Sequence, residues 1–138
     1  MGRKVELWDK TYKCGELEVS GHIDGLFTWD EAMSLKLPEG WRVASDEDWF
    51  RIADYFANDA GKIIKGLEIE LAGFRHPDGR LLHCGANANL WSSSESGADA
   101  WYLLLFPRYS TVSRDAYPLA FGFSVRCVRD IKEEEVKI

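Results

Sequence analysis

Three histidines and three cysteines are the side chains of this chain best suited to ligate a metal or attack a substrate. His22-Ile23-Asp24 sets an imidazole and a carboxylate two residues apart. That is the spacing of two facial-triad ligands, and His76 or His83 could supply the third for a non-haem iron. The same residues also read as a polar turn at Asp24-Gly25, the preferred reading for so short a pattern. Cys14, Cys84 and Cys127 are widely spaced, and no two stand at metal-ligand spacing. An odd count without a leader segment reads as reduced, free thiols, with Cys127 on the apolar parity of its segment. Ser92 to Ser96 lacks a Gly-x-Ser-x-Gly elbow and an assigned histidine, so it reads as a polar turn. No catalytic residue, metal site or cofactor is assigned.

The residues that favour binding over catalysis lie in an irregular run, Leu103 to Ala120. Tyr109, Tyr117 and Phe121 are large and rigid, and Arg108 adds a planar donor fork. Ser110, Thr111, Ser113 and Asp115 add adaptable hydrogen bonding, a mixture like that of an antibody paratope. Pro118-Leu119-Ala120 forms an apolar patch if exposed, which marks an interface. The candidate binding residues are Leu104, Phe106, Arg108, Tyr109, Ser113, Asp115, Ala116, Tyr117, Pro118, Leu119 and Phe121. The ligand class they suit is a macromolecule, a protein first of all, whose identity the residues do not name.

Strands must hold that run. Trp101 to Phe106 is a short, aromatic-rich apolar stretch ended by Pro107, which suits a buried strand. Phe121, Phe123, Val125 and Cys127 alternate with Gly122, Ser124, Arg126 and Val128, the period of a strand with one buried face. Upstream, Thr28 and Glu31 form a capping box for a helix that ends before Pro38. A second helix opens at Ser45 with three acids in its first turn. Its Trp49, Ile52, Ala53 and Phe56 make one buried stripe. Gly61 ends that region. Leu67, Ile69 and Leu71 alternate with Glu68 and Glu70 as a half-exposed strand, and Phe74 to Leu82 is a hairpin turning at Asp78-Gly79. Lys13 to His22 can hold one or two short strands. Trp41, Trp49, Trp91, Trp101, Phe123 and Val125 are expected to be buried together. Helices first and strands after make an α+β layout, with residues 1–138 as one domain and Glu133-Glu134-Glu135 as a solvated tail.

The net charge is −6. With no basic stripe, this argues against a nucleic-acid face. No apolar run is long enough to span a membrane. The charged start, Met1 to Glu6, is unlike a signal peptide, so the chain is expected to be cytoplasmic as translated, or to reach a virion or cell surface by assembly.

Several words in order carry a family resemblance. Pro38-Glu39-Gly40-Trp41-Arg42-Val43 precedes Ser45-Asp46-Glu47-Asp48-Trp49, and Gly73-Phe74-Arg75 precedes Asp78-Gly79. Trp91-Ser92-Ser93-Ser94-Glu95, Ala100-Trp101-Tyr102 and Gly122 to Asp130 follow. Together, over Phe27 to Asp130, they resemble the prokaryotic C-type lectin-like domains related to formylglycine-generating enzyme, which include the variable proteins of diversity-generating retroelements. The resemblance implies two helices followed by a mostly antiparallel twisted sheet with long loops. It also implies a variable region over 91–130, in which adenine replacement never encodes Lys, Glu, Gln, Met or Trp. From Tyr102 to Asp130 none of those five occurs, although they make up about a quarter of the rest of the chain. Strand composition accounts for part of this, because strands disfavour Lys and Glu. The family's oxidase activity requires reactive cysteines, and its catalytic motif does not match here residue by residue. The calcium-sugar motif is absent too: Glu95 and Asp99 are the only carboxylates near the loop, against the six to eight oxygens calcium needs. The resemblance thus implies a retroelement-diversified, ligand-binding variable protein. An oxidase and a structural surface module without its own ligand are the alternatives.

Overall fold

A computed structural model describes residues 3–5, 8 and 10–131. The expected acidic tail, Glu133 to Glu135, lies outside the described residues. Strands β1 (Thr11–Cys14) and β2 (Leu17–Ser20) form a hairpin. β2 pairs with β9 (Cys127–Asp130), which pairs in turn with β3 (Arg42–Val43), so a four-stranded antiparallel sheet brings early and late segments of the chain together. A second antiparallel sheet runs β6 (Ala88–Ser96), β7 (Asp99–Leu105), β8 (Ser113–Pro118). Between the sheets in sequence lies a small hairpin, β4 (Phe74–Arg75) and β5 (Leu81–Leu82). It turns at Asp78-Gly79, where Gly79 takes a φ of +97° that a side chain would resist. The class is α+β with antiparallel sheets.

The helices start where side chains can satisfy free backbone N–H groups. α1 (Trp29–Met33) has the Thr28–Glu31 capping box, and α2 (Asp46–Tyr55) has a second box made by Ser45 and Asp48. Trp49, Ile52 and Ala53 are buried on α2, with Phe56 half-buried at its end. The expectation that Gly61 ends this region is corrected: a third helix, α3 (Ala60–Gly66), begins there, with Asp59 as its cap. Two glycines conceal it, and at Gly66 the reason for glycine is spatial. A Cβ at Gly66 would lie 2.4 Å from the Phe56 ring. Leu67 to Leu71 does alternate in burial but is not a strand: Leu67 caps α3, Glu68 turns the chain at a φ of +49°, and no ladder forms before Gly73.

Each face of the β6-β7-β8 sheet carries its own core. Ala88, Leu90, Leu103 and Leu105 pack toward Trp49, Ile52, Ile63 and Leu67 of the helical side. Trp91, Ala100 and Tyr102, on the other face, pack with Phe27, Phe123 and Val125. The two buried indoles link the layers: Trp49 Nε1 donates to the Trp91 carbonyl at 3.2 Å, and Trp91 Nε1 to the Phe27 carbonyl at 2.7 Å. Trp41 and Trp101 differ from expectation and are only half-buried, so the six expected core residues do not form one cluster. The stretch from Gly122 to Val128 also differs. It is buried on both parities, because it threads between layers and bridges Phe27, Arg75 and Leu90 before β9 begins. Arg126 is consequently buried, donating to the carbonyls of Ser20 and Glu68.

Candidate functional site

The expected irregular run contains a strand. β8 pairs with β7 without interruption, from Asp99 opposite Pro118 to Leu104 opposite Ser113. It is the outer strand of its sheet, and its backbone is fixed by a neighbour that the core holds. Ser113, Arg114, Asp115 and Pro118 are exposed, and Ala116 and Tyr117 half-buried. Paired residues share a sheet face. Ser113, Asp115 and Tyr117 therefore lie with Leu104 and Tyr102, while Arg114, Ala116 and Pro118 lie with Leu103 and Trp101.

The first face is aromatic beneath and polar above. Tyr117 meets the rings of Tyr102 and Phe121 at 5.2 and 4.9 Å, and Phe121 also meets Phe74 and His76. Leu104, Tyr117, Leu119 and Phe121 are thus half-buried walls of the second core, and not the free side chains a paratope reading expects. Burial, with Tyr117 and Asp115 nearby, pushes the Tyr102 phenol up to about 12, so it stays neutral. Asp115 turns back on the strand, its carboxylate accepting from the Ala116 N–H at 2.8 Å. Pro118 has no N–H to offer. Both features blunt the outer strand against pairing with another strand, and leave side chains to make contacts.

The second face holds a cluster that the sequence did not suggest. The Arg114 guanidinium lies 3.5 Å from the centre of the Trp101 ring and 5.3 Å from that of Phe50, which is 54% exposed. Arg114 Nε donates to both carboxylate oxygens of Asp46 at 2.9 Å, and Nη2 reinforces the pair. That hydrogen bonding raises the guanidinium pKa further. Asp46 itself sits at the start of α2, where its N–H donates to Ser94 Oγ. The helix thereby braces the outer strand.

Between β7 and β8 the chain turns through Phe106, Pro107, Arg108 and Tyr109. The Phe106 and Tyr109 rings are 5.0 Å apart, and Phe106 is half-buried while Arg108 and Tyr109 are exposed. With Gly85 and Ala86 these four residues line a hollow of 410 Å³.

The other candidates are not brought to one place. His22 Nε2 stands 3.1 Å from carboxylate oxygens of both Asp24 and Glu70, while His76 faces Asp78 and His83 contacts Asn87. Among the described residues no group of three or more His, Cys, Asp and Glu side chains could hold a metal ion. Cys14, Cys84 and Cys127 are all free. Burial pushes the Cys14 and Cys127 thiols up to about 11 and about 12, away from thiolate chemistry, while Cys84 is exposed. Ser92 to Ser94 is not a turn but part of β6, where the register with β7 shifts between Trp91 and Glu95 as a bulge. No described helix is long and apolar enough to cross a membrane. No family model matches the chain, and no curated protein or solved structure matches it.

Proposed function

We propose that this chain is a ligand-binding domain of C-type lectin-like fold, a variable protein diversified by a retroelement. Its ligand is a protein, bound through the side chains of the Leu104 to Phe121 surface. The observation that supports this most is the division of labour in β8. Its backbone is paired along its whole length, yet four of its six side chains are exposed. The exposed Ser113 and Asp115 can change without costing the fold, typically within about 0.5 kcal/mol each. The missing Lys, Glu, Gln, Met and Trp between Tyr102 and Asp130 are consistent with codons limited by adenine replacement. The half-buried aromatic wall behind β8 supplies rigid anchors, and Arg108 and Tyr109 supply exposed ones.

The test pairs Ser113→Arg with Asp115→Arg. Both variants should melt within about 2 °C of the wild type. Both should lose a partner that the wild-type domain captures from host extract and that mass spectrometry identifies. Retention of that partner by both variants, or unfolding of both, would remove the reading. A near-copy of the codons for residues 91–130 beside a reverse transcriptase would independently establish diversification.

A further inference from the structure

We infer that the hollow between β7 and β8 is an anchor site for a carboxylate carried next to an apolar side chain on the partner. This rests on the binding surface proposed above and gives it a chemistry. The first observation concerns charge. Of nine arginines, six meet a carboxylate and two more donate to backbone carbonyls. Arg108 alone has no such partner among the described residues, in a chain whose net charge is −6 and where carboxylates are plentiful. The second concerns its surroundings. The 410 Å³ hollow beside it is lined by Phe106, Pro107, Tyr109, Gly85 and Ala86, with no carboxylate. Other hollows do carry carboxylates: one is lined by Asp24 and Glu70 with His22, another by Asp30 and Glu31 with Arg3. A guanidinium binds a carboxylate through two parallel N–H donors, a geometry that a lone lysine cannot offer. The Phe106 and Tyr109 rings, tilted by 42° to each other, give an apolar group beside that carboxylate a surface to cover. An anion without such a group would leave the rings wet, and an apolar group without charge would leave the guanidinium unmatched.

Two sources present this chemistry, an acidic side chain within a chain and a carboxylate at a chain end. Three peptides separate them by NMR titration of the intact protein. One is a tetrapeptide Gly-Glu-Phe-Gly capped at both ends, the second its Gln counterpart, and the third Gly-Gly-Phe with a free C-terminal carboxylate. The Glu peptide, the free-carboxylate peptide or both should shift the signals of Phe106, Arg108 and Tyr109. Binding should be at least about tenfold tighter than for the Gln peptide, a difference of about 1.4 kcal/mol. Whichever of the two binds identifies the source. Arg108→Gln should erase the advantage of the acid while leaving the melting temperature unchanged, and Arg108→Lys should restore only part of it. Equal binding of the Glu, Gln and free-carboxylate peptides, or shifts confined to other surfaces, would overturn the inference. If no acidic peptide binds but Ser113→Arg and Asp115→Arg still abolish partner capture, the anchor is wrong and the surface stands. If acids bind through Arg108 while both variants keep the partner, the anchor stands and the wider surface falls.

Discussion

Tyr117 and Tyr109 both belong to the candidate surface, and the structure gives them opposite roles. Tyr117 is half-buried and meets the rings of Tyr102 at 5.2 Å, Phe121 at 4.9 Å and Phe123 at 6.2 Å. Each aromatic pair is worth about 0.5–1.5 kcal/mol beyond the area it covers. The three pairs share one ring and do not add fully, so Tyr117→Ala should cost about 2–4 kcal/mol, near the range for aromatic truncation in a core. Tyr109 is 57% exposed and, among the described residues, meets one aromatic ring, Phe106 at 5.0 Å. Tyr109→Ala should cost about 0.5–1 kcal/mol. Urea denaturation, followed by tryptophan fluorescence, measures both. With a slope of about 1.5 kcal/mol per molar, the Tyr117 variant should unfold about 0.7–2.3 M earlier than the Tyr109 variant. Partner binding should show the reverse asymmetry per unit of stability lost, because an exposed tyrosine can spend its contacts on the ligand. Equal destabilisation by the two substitutions would refute the division of the surface into wall and tip.

Trp49→Ala should lose about 3–5 kcal/mol in the same denaturation assay, because the indole is 1% exposed and its N–H bond to Trp91 is lost with it. Burial acts to raise the Asp48 carboxyl pKa, but hydrogen bonds from Arg42 and Ser45 outweigh it and hold it below the usual carboxylate range. The stability from this group is therefore full above about pH 4 and lost as pH falls through the lower native value. Asp48→Asn should cost about 1.5–3 kcal/mol at pH 7, with Arg42 partly exposed to water and able to resolvate. The same variant should show a shallower fall in melting temperature between pH 4 and pH 2, and an unchanged acid limb would contradict the assignment. Under native conditions a thiol reagent should label Cys84 alone, with Cys14 and Cys127 reacting only on unfolding; mass spectrometry of the digest reads this directly. Gly66→Ala should destabilise by at least about 1 kcal/mol in urea, since the new methyl meets the Phe56 ring, whereas a substitution at an open helical glycine would be neutral or favourable.

Local signals were legible in the sequence wherever partner groups are neighbours along the chain. Thr28 with Glu31 and the cap at Ser45 span one helical turn, and Asp78-Gly79 fixes its hairpin in two residues. The buried face of α2 and the strand from Trp101 follow from periodicity, because a helix or strand must hide one side whatever it packs on. The α+β class follows from the order of those elements. What packs on that side is a different matter. Gly122 to Val128 looks like a strand with one wet face, yet it is buried on both, since neighbours from Phe27, Arg75 and Leu90 arrive from distant parts of the chain. α3 is concealed by Gly61 and Gly66, and at Gly66 the Phe56 ring, not a turn, accounts for the glycine. The surface itself shows the same limit. Its residue types were readable, but composition cannot say which rings face inward. The brace between Arg114 and Asp46 closes 68 positions, and the hollow at Arg108 needs Gly85 and Ala86 from another strand's approach. Side-chain identity and short-range geometry are properties of the sequence. Burial, charge pairing and the shape of a cavity are properties of which distant segments meet, and only the packed chain decides them.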